Sequence, residues 1–206
     1  MNTKEIREKK IKLKLTKKQR EILVGTLLGD AHLETQNKGR TYRLKVEHSV
    51  SQKEYLKWMY KEFEDWIPGG IYEKQAKDGR KFIGFNTYSH GAFRFYAKQF
   101  YKNGKKVVPK QIHKILKPLS IAVWYMDDGS RKSLAHKTYI IHTYGFKYSD
   151  QLRLVEALSK YGIEANLHRQ KKNMWRIYIL TESSKILRGI LVKEFRNLET
   201  MQYKIG

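Results

Sequence analysis

Two aspartates stand in matched settings in this chain of 206 residues: Asp30 closes Leu23-Val24-Gly25-Thr26-Leu27-Leu28-Gly29-Asp30, and Asp128 closes Ile121-Ala122-Val123-Trp124-Tyr125-Met126-Asp127-Asp128. Each follows a run of apolar and small residues, and the two lie 98 residues apart, just under half the chain. The pattern reads as one motif used twice, each half bringing one carboxylate to a common place. Both fall where a helix is expected to end, and the partial negative charge of a helix C-terminus disfavours an anion there by a few tenths to about 1 kcal/mol. A divalent cation shared by the two carboxylates would compensate. Lys106 and Lys204 repeat the 98-residue offset. Paired carboxylates holding hard divalent ions suit phosphodiester hydrolysis, since they supply an activated water and stabilise developing charge. Lysines at the same centre add to that stabilisation.

The composition names the partner class. Lys and Arg number 43 against 20 Asp and Glu, a net charge of +23, and the basic residues run along the whole length. Such a chain expects a polyanion, with affinity that falls steeply with salt as counterions cease to be released. The absence of cysteine excludes disulfides, thiol nucleophiles and thiolate zinc sites. No apolar run nears the roughly 18 residues of a membrane span, and the N-terminus has no signal-peptide core. An intracellular protein is expected, in a bacterial cytoplasm or an organelle matrix. Nine Lys or Arg and two Glu within residues 4–20 read as a basic arm for nucleic acid.

The elements that must hold the aspartates can be read in parallel. Thr16-Lys17-Lys18-Gln19 is a capping box opening a helix that carries the first motif, and Pro118 suits the first turn of the helix carrying the second. Tyr42–Glu47 alternates as a strand with one wet face, which puts Arg43, Lys45 and Glu47 opposite Leu44 and Val46; residues 138–143 take the matching place. A second capping box at Ser51-Gln52-Lys53-Glu54 and a start at Ser149 open the next helices, the latter stopped by Gly162. Strands follow at 71–76 and 80–87, and at 164–169 and 174–181. Closing helices span 91–102, stopped by Asn103-Gly104, and 184–196. The expected division is a basic arm at 1–15, a first repeat at 16–106, a linker at 107–117 and a second repeat at 118–206. Gly25 and Gly29 inside a helix each cost about 1 kcal/mol relative to Ala, which implies close packing between the motif helices. Trp58, Phe63, Trp66, Phe93, Phe95 and Trp124 are expected in the core. A β-ribbon can read the major groove, so Arg40, Arg43, Lys45, His48, Lys74, Arg80, Asn86, Lys132, His142, His168, Gln170 and Arg176 are the candidate DNA contacts.

This pattern resembles the LAGLIDADG homing endonucleases, in the single-chain form with two motif copies, over about residues 16–206. The resemblance implies an α+β fold of two pseudo-symmetric αββαββα repeats, two motif helices at the central interface, and a saddle of antiparallel strands over double-stranded DNA. It implies a monomer that cleaves a long asymmetric target across the minor groove and leaves 3′ overhangs, using Mg²⁺ with Mn²⁺ able to substitute. Asp30 and Asp128 would then be the metal-binding carboxylates, the carbonyls of Gly29 and Asp127 would lie at the metals, Lys106 and Lys204 would flank the centre, and Glu47 would stand at its edge. The chain departs from the family name at Leu28, Met126, Ala31 and Val123, so unlike half-sites are expected. Without cysteine and without a final Asn no protein-splicing segment is expected, which favours an intron-encoded enzyme. The alternatives are an intron RNA splicing cofactor and a non-cleaving DNA-binding regulator on the same fold.

Overall fold

Helix α1 spans Lys4–Lys12, and α2, Lys17–Leu28, carries the first motif. The computed structural model describes residues 3–132 and 138–206. Strands β1 (His32–Glu34) and β2 (Arg43–Ser49) follow, then α3 (Lys53–Glu62), β3 (Tyr72–Gln75), β4 (Lys81–Asn86) and α4 (Arg94–Phe100). A short hairpin, β5 (Tyr101–Lys102) with β6 (Lys105–Lys106), and the short helix α5 (Ile112–Ile115) lead into α6 (Pro118–Asp128), which carries the second motif. The second half continues with β7 (Gly129–Arg131), β8 (Tyr139–Ile141), α7 (Tyr148–Ser159), β9 (Ala165–Lys171), β10 (Met174–Ile179), α8 (Thr181–Phe195) and α9 (Gln202–Ile205).

Each half builds a four-stranded antiparallel sheet of the same topology, β1-β2-β4-β3 and β7-β8-β10-β9. The first sheet buries Leu33, Leu44, Val46, Ile83 and Phe85 against Tyr55, Leu56 and Met59 of α3. The second buries Ile141, Ile177 and Ile179 with Leu154, Ala157 and Leu158 of α7 and Leu187 and Leu191 of α8. One continuous apolar cluster joins the halves through α2 and α6, where Ile121, Ala122, Val123 and Trp124 are fully buried.

The motif helices meet where the glycines predict. A Cβ on Gly25 would stand 2.5 Å from the Ser120 carbonyl oxygen and 2.7 Å from Val123 Cβ, and one on Gly29 would stand 2.5 Å from Asp127 Oδ2. Val123 therefore does not hold the helices apart, because Gly25 opposite it supplies the room. The capping box at Thr16 is formed, with Gln19 N–H donating to Thr16 Oγ1 at 3.1 Å and Thr16 N–H to Gln19 Oε1 at 2.9 Å.

Three local expectations are corrected, at Ser51, at Asn103-Gly104 and at Phe95. The box at Ser51 does not form: Ser49 caps a short 3-10 turn instead, and Glu54 reaches across to accept from the Thr200 hydroxyl at 3.1 Å. Asn103-Gly104, read as a helix stop, is the tip of the β5–β6 hairpin, both residues at positive φ as a tight two-residue turn requires. Residues 107–117, read as a linker, carry α5 and bury Val108, Ile112 and Leu116. The expected basic arm is helical over Lys4–Lys12 with no buried residue, and its Met1 and Asn2 lie outside the described residues. Phe95 is 53% exposed rather than core, since the short helix α4 buries Tyr96, Ala97 and Phe100.

Candidate active site at the meeting of the motif helices

Asp30 lies two residues beyond the end of α2, and Asp128 is the last residue of α6. The close crossing of the helices brings both into one electrostatic neighbourhood with Asp127, Lys106 and Lys204. Lys106, delivered by the β5–β6 hairpin, donates from Nζ to the carbonyls of Gly29 at 2.6 Å and Ala31 at 2.8 Å. Lys204, delivered by α9, donates to the carbonyls of Met126 and, at 3.2 Å, Asp127. Each lysine thus settles on the open carbonyls at the end of one motif helix, where positive charge is favoured. Tyrosines fix both deliveries. Leu33 N–H donates to Tyr101 Oη beside the hairpin at 3.0 Å, while Tyr125 and Tyr139 donate to the carbonyls of Lys204 and Ile205 at 3.0 and 2.8 Å.

The carboxylates are not equivalent. Asp127 is fully shielded at its side chain and satisfied by three donors: Thr26 Oγ1 at 2.9 Å and Asp30 N–H at 3.1 Å on Oδ2, and Tyr55 Oη at 2.8 Å on Oδ1. Burial, opposed by the facing His48 and reinforced by Asp30, pushes its carboxyl up to about 6. Asp128 is pushed to about 8, first by burial and then by the charges of Asp127 and Asp30. Burial acts on Asp30 in the same direction, but the His48 imidazole and the ammonium groups of Lys204 and Lys106 outweigh it and hold Asp30 below the usual aspartate range. Burial lowers both lysines, and the three aspartates oppose it.

This donor set fits a hard cation. Asp30 and Asp128 offer carboxylate oxygens, and Gly29 and Asp127 offer carbonyl oxygens that already hold ammonium groups, which stand in for a cation at those positions. Oxygen ligands of this kind suit Mg²⁺, Mn²⁺ or Ca²⁺ rather than a soft metal. An Asp128 carboxyl displaced upward by burial and then by its like-charged neighbours is where added positive charge is favourable.

Comparison with known proteins decides the family. The model of the LAGLIDADG DNA endonuclease family matches residues 20–187, spanning both motif copies. The chain belongs to this family. It is 31% identical over 204 residues to the cytochrome b mRNA maturase bI2 of Debaryomyces hansenii, covering 93% of this chain and 75% of that protein. It is 29% identical over 215 residues to the DNA endonuclease I-ChuI of Chlamydomonas applanata, covering 94% and 97%. Among solved structures, the homing endonuclease I-WcaI bound to its DNA recognition sequence matches with a TM-score of 0.85 and 26% identity over 100% of this chain and 93% of that one. I-DmoI, in complex with DNA and Mn, shares the fold at a TM-score of 0.53 and 14% identity, covering 85% and 97%. The α+β architecture of paired repeats with two motif helices between two sheets is thus the LAGLIDADG saddle.

On the LAGLIDADG sheets the candidate DNA contacts divide. Arg43, Lys45 and Glu47 do share the outward face of β2, opposite buried Leu44 and Val46. They are tied into ion pairs: Arg43 with Glu34 at 2.7 Å, Lys45 with Glu47 at 3.1 Å, and exposed Lys74 with Glu47. Asn86 is half-buried on the same face, and its Oδ1 has no partner. Arg40 is exposed in the loop before β2, and Arg80 is exposed in the β3–β4 turn, where it pairs with Asp78 at 2.8 Å. On the second sheet Lys132 lies over the Tyr178 ring, on which His168 stacks with centroids 4.4 Å apart. Arg176 pairs in register with His168, and Gln170 is exposed further along β9. His142, one residue beyond β8, bonds Ser130 Oγ at 2.9 Å and Tyr144 Oη at 3.1 Å.

His48 departs from the reading as a DNA contact. Its side chain is completely buried, with Nδ1 3.4 Å from Asp30 Oδ2 and Nε2 3.9 Å from Asp127 Oδ1. The alternation that faces Arg43, Lys45 and Glu47 outward turns residue 48 inward, so the signal was present in the strand's parity. The side chains of Asp127, Thr26 and Tyr55 are the site members that sequence reasoning missed. Nothing in a local pattern signals them, because Tyr55 joins the site from 72 positions away.

Proposed function

We propose that this chain is a site-specific double-strand DNA endonuclease, acting as a monomer on a long asymmetric target and cutting across the minor groove to leave 3′ overhangs. The observation that carries the reading is the convergence of Asp30 and Asp128, each with its own lysine on the adjacent helix end, beneath two basic sheets. Asp30, Asp128 and the carbonyls of Gly29 and Asp127 would hold divalent cations, with Mg²⁺ the expected ion. When bound, such ions activate water and stabilise the charge on the scissile phosphates. Lys106 and Lys204 order the helix-end carbonyls and supply positive charge beside the reacting groups. The outward side chains of the two sheets position the duplex and read its bases. They read unlike half-sites because the ion-paired carboxylates Glu34 and Glu47 on the first sheet have no counterpart among the described residues of the second.

A second reading comes from the Debaryomyces relative, which is a maturase of cytochrome b mRNA. The basic surface serves RNA equally, so assistance to an intron's splicing is the alternative role of the same fold. Selection from a random duplex library, with Mg²⁺ in one arm and Ca²⁺ in the other, tests the primary reading. Recovery of one long asymmetric site cut on both strands in Mg²⁺ supports it. A site bound in both arms and cut in neither contradicts it.

A further inference from the structure

The two motif aspartates have unlike surroundings. Beside Asp30, the buried His48 ring stands between two carboxylates, Nδ1 toward Asp30 Oδ2 and Nε2 toward Asp127 Oδ1. Neither ring nitrogen has a hydrogen bond of good geometry, an unusual state for a fully buried imidazole. The ring is held edge-on by Tyr55, with centroids 5.1 Å apart, and Tyr55 also donates to Asp127 Oδ1. Asp127 in turn accepts the backbone N–H of Asp30. Asp30 is therefore braced twice, at its backbone by the hydrogen bond to Asp127 and at its carboxylate by the 3.4 Å ion-pair contact with His48. Among the described residues no hydrogen bond or ion pair reaches the Asp128 carboxylate, and His142, the histidine whose backbone N–H bonds the Asp128 carbonyl, has both ring nitrogens engaged by Ser130 and Tyr144.

We propose that His48 is a positioning residue for Asp30, and that the two halves of the centre are unequal because Asp128 has no such brace, so that the two DNA strands are cut at different rates. The Asp30 side chain is 42% exposed, so without His48 its carboxylate is free to move among staggered rotamers. A displacement of about 1 Å at a reacting group is enough to cost about 10²-fold in rate. This inference rests on the endonuclease reading above.

The test is single-turnover cleavage in Mg²⁺ of the selected target, each strand carrying its own label, by the wild type, His48→Phe, His48→Gln and Tyr55→Phe. His48→Phe is expected to slow one strand about tenfold or more relative to the other, with DNA affinity held within about threefold. His48→Gln, which keeps a donor, is expected to restore part of the loss. Should His48→Phe fail to fold, Tyr55→Phe removes only the hydroxyl that anchors Asp127 and is expected to shift the strand ratio in the same direction by a smaller factor. Equal slowing of both strands, or no change in either, overturns the proposal. A wild type that cuts neither strand overturns the endonuclease reading instead.

Discussion

Lys106 and Lys204 each sit on carbonyls at the end of a motif helix, and that placement separates two roles for a lysine at a nucleic-acid site. Replacing a phosphate-binding lysine by Met weakens binding and flattens its salt dependence, whereas replacing one at the reaction centre slows scission more than it weakens binding. Lys106→Met and Lys204→Met are expected to lower the single-turnover rate by about 10²-fold while changing Kd by less than about fivefold. Equal decreases in the two assays would make them phosphate-binding residues. The carboxylates carry a pH signature as well. Asp128 folds with its carboxyl raised from the ordinary aspartate value to about 8, and His48 is raised by the charges of Asp30 and Asp127 against its burial. Both groups bind more protons folded than unfolded, so their contribution is present at lower pH and is lost as pH rises through the folded values. His90 and His142 are lowered, chiefly by burial, and act in the opposite sense only below the ordinary histidine value, while the lowered Lys106 and Lys204 do so between their folded values and the ordinary lysine value. Denaturant unfolding without divalent ions is therefore expected to show stability falling from about pH 6.5 to about 8, and Asp128→Asn is expected to flatten that fall. A stability that rises across this window would contradict the assigned charges.

The crossing of α2 and α6 sets two effects against each other at Gly25. Alanine there gains about 1 kcal/mol of helix propensity. Its Cβ would also meet the Ser120 carbonyl at 2.5 Å, and backbone cannot swing aside as a flexible side chain can. Overpacking of this kind costs about 1–3 kcal/mol, so the clash outweighs the propensity gain and Gly25→Ala is expected to lower unfolding stability by up to about 2 kcal/mol. A stabilised variant would mean that the helices do not touch at Gly25. The first sheet makes a separate prediction. Glu47 holds both Lys45 and Lys74, while Lys132, His168 and Arg176 on the second sheet pair with no carboxylate among the described residues. Glu47→Gln is expected to release the two lysines to phosphates, tightening non-target binding and steepening the log K against log salt slope by about one to two. An unchanged slope would show that the lysines already bind DNA in the wild type.

How much of each element was legible follows from where its determinants lie. The Thr16 box, Pro118 and Gly162 act within a few residues, and they mark helix boundaries that the structure keeps. Asn103-Gly104 was misread because the same dipeptide stops helices and turns hairpins, and only the pairing of Tyr101 with Lys106 distinguishes them. The Asp127 side chain was illegible for a different reason. Its partners Thr26 and Tyr55 belong to the other half of the chain, and their approach depends on the absence of a Cβ at Gly29.

At the scale of the whole molecule, duplication explains both the symmetry and its loss. Two sheets of identical topology and two lysine-capped helix ends preserve the repeat, while the ion-paired first sheet and the His48–Asp127 brace are confined to one side of the centre. The net charge of +23 draws the chain to nucleic acid without choosing a sequence. Among the described residues no helix is long and apolar enough to cross a membrane. On the proposed reading the shared centre is what makes this fold an enzyme rather than a binder, and replacing its carboxylates one at a time addresses that directly. In cleavage and equilibrium binding assays on the selected target in Mg²⁺, Asp30→Asn and Asp128→Asn are each expected to abolish double-strand cleavage while keeping affinity within about tenfold, equivalent to roughly 1.4 kcal/mol. Either variant cutting both strands at the parental rate would contradict the account.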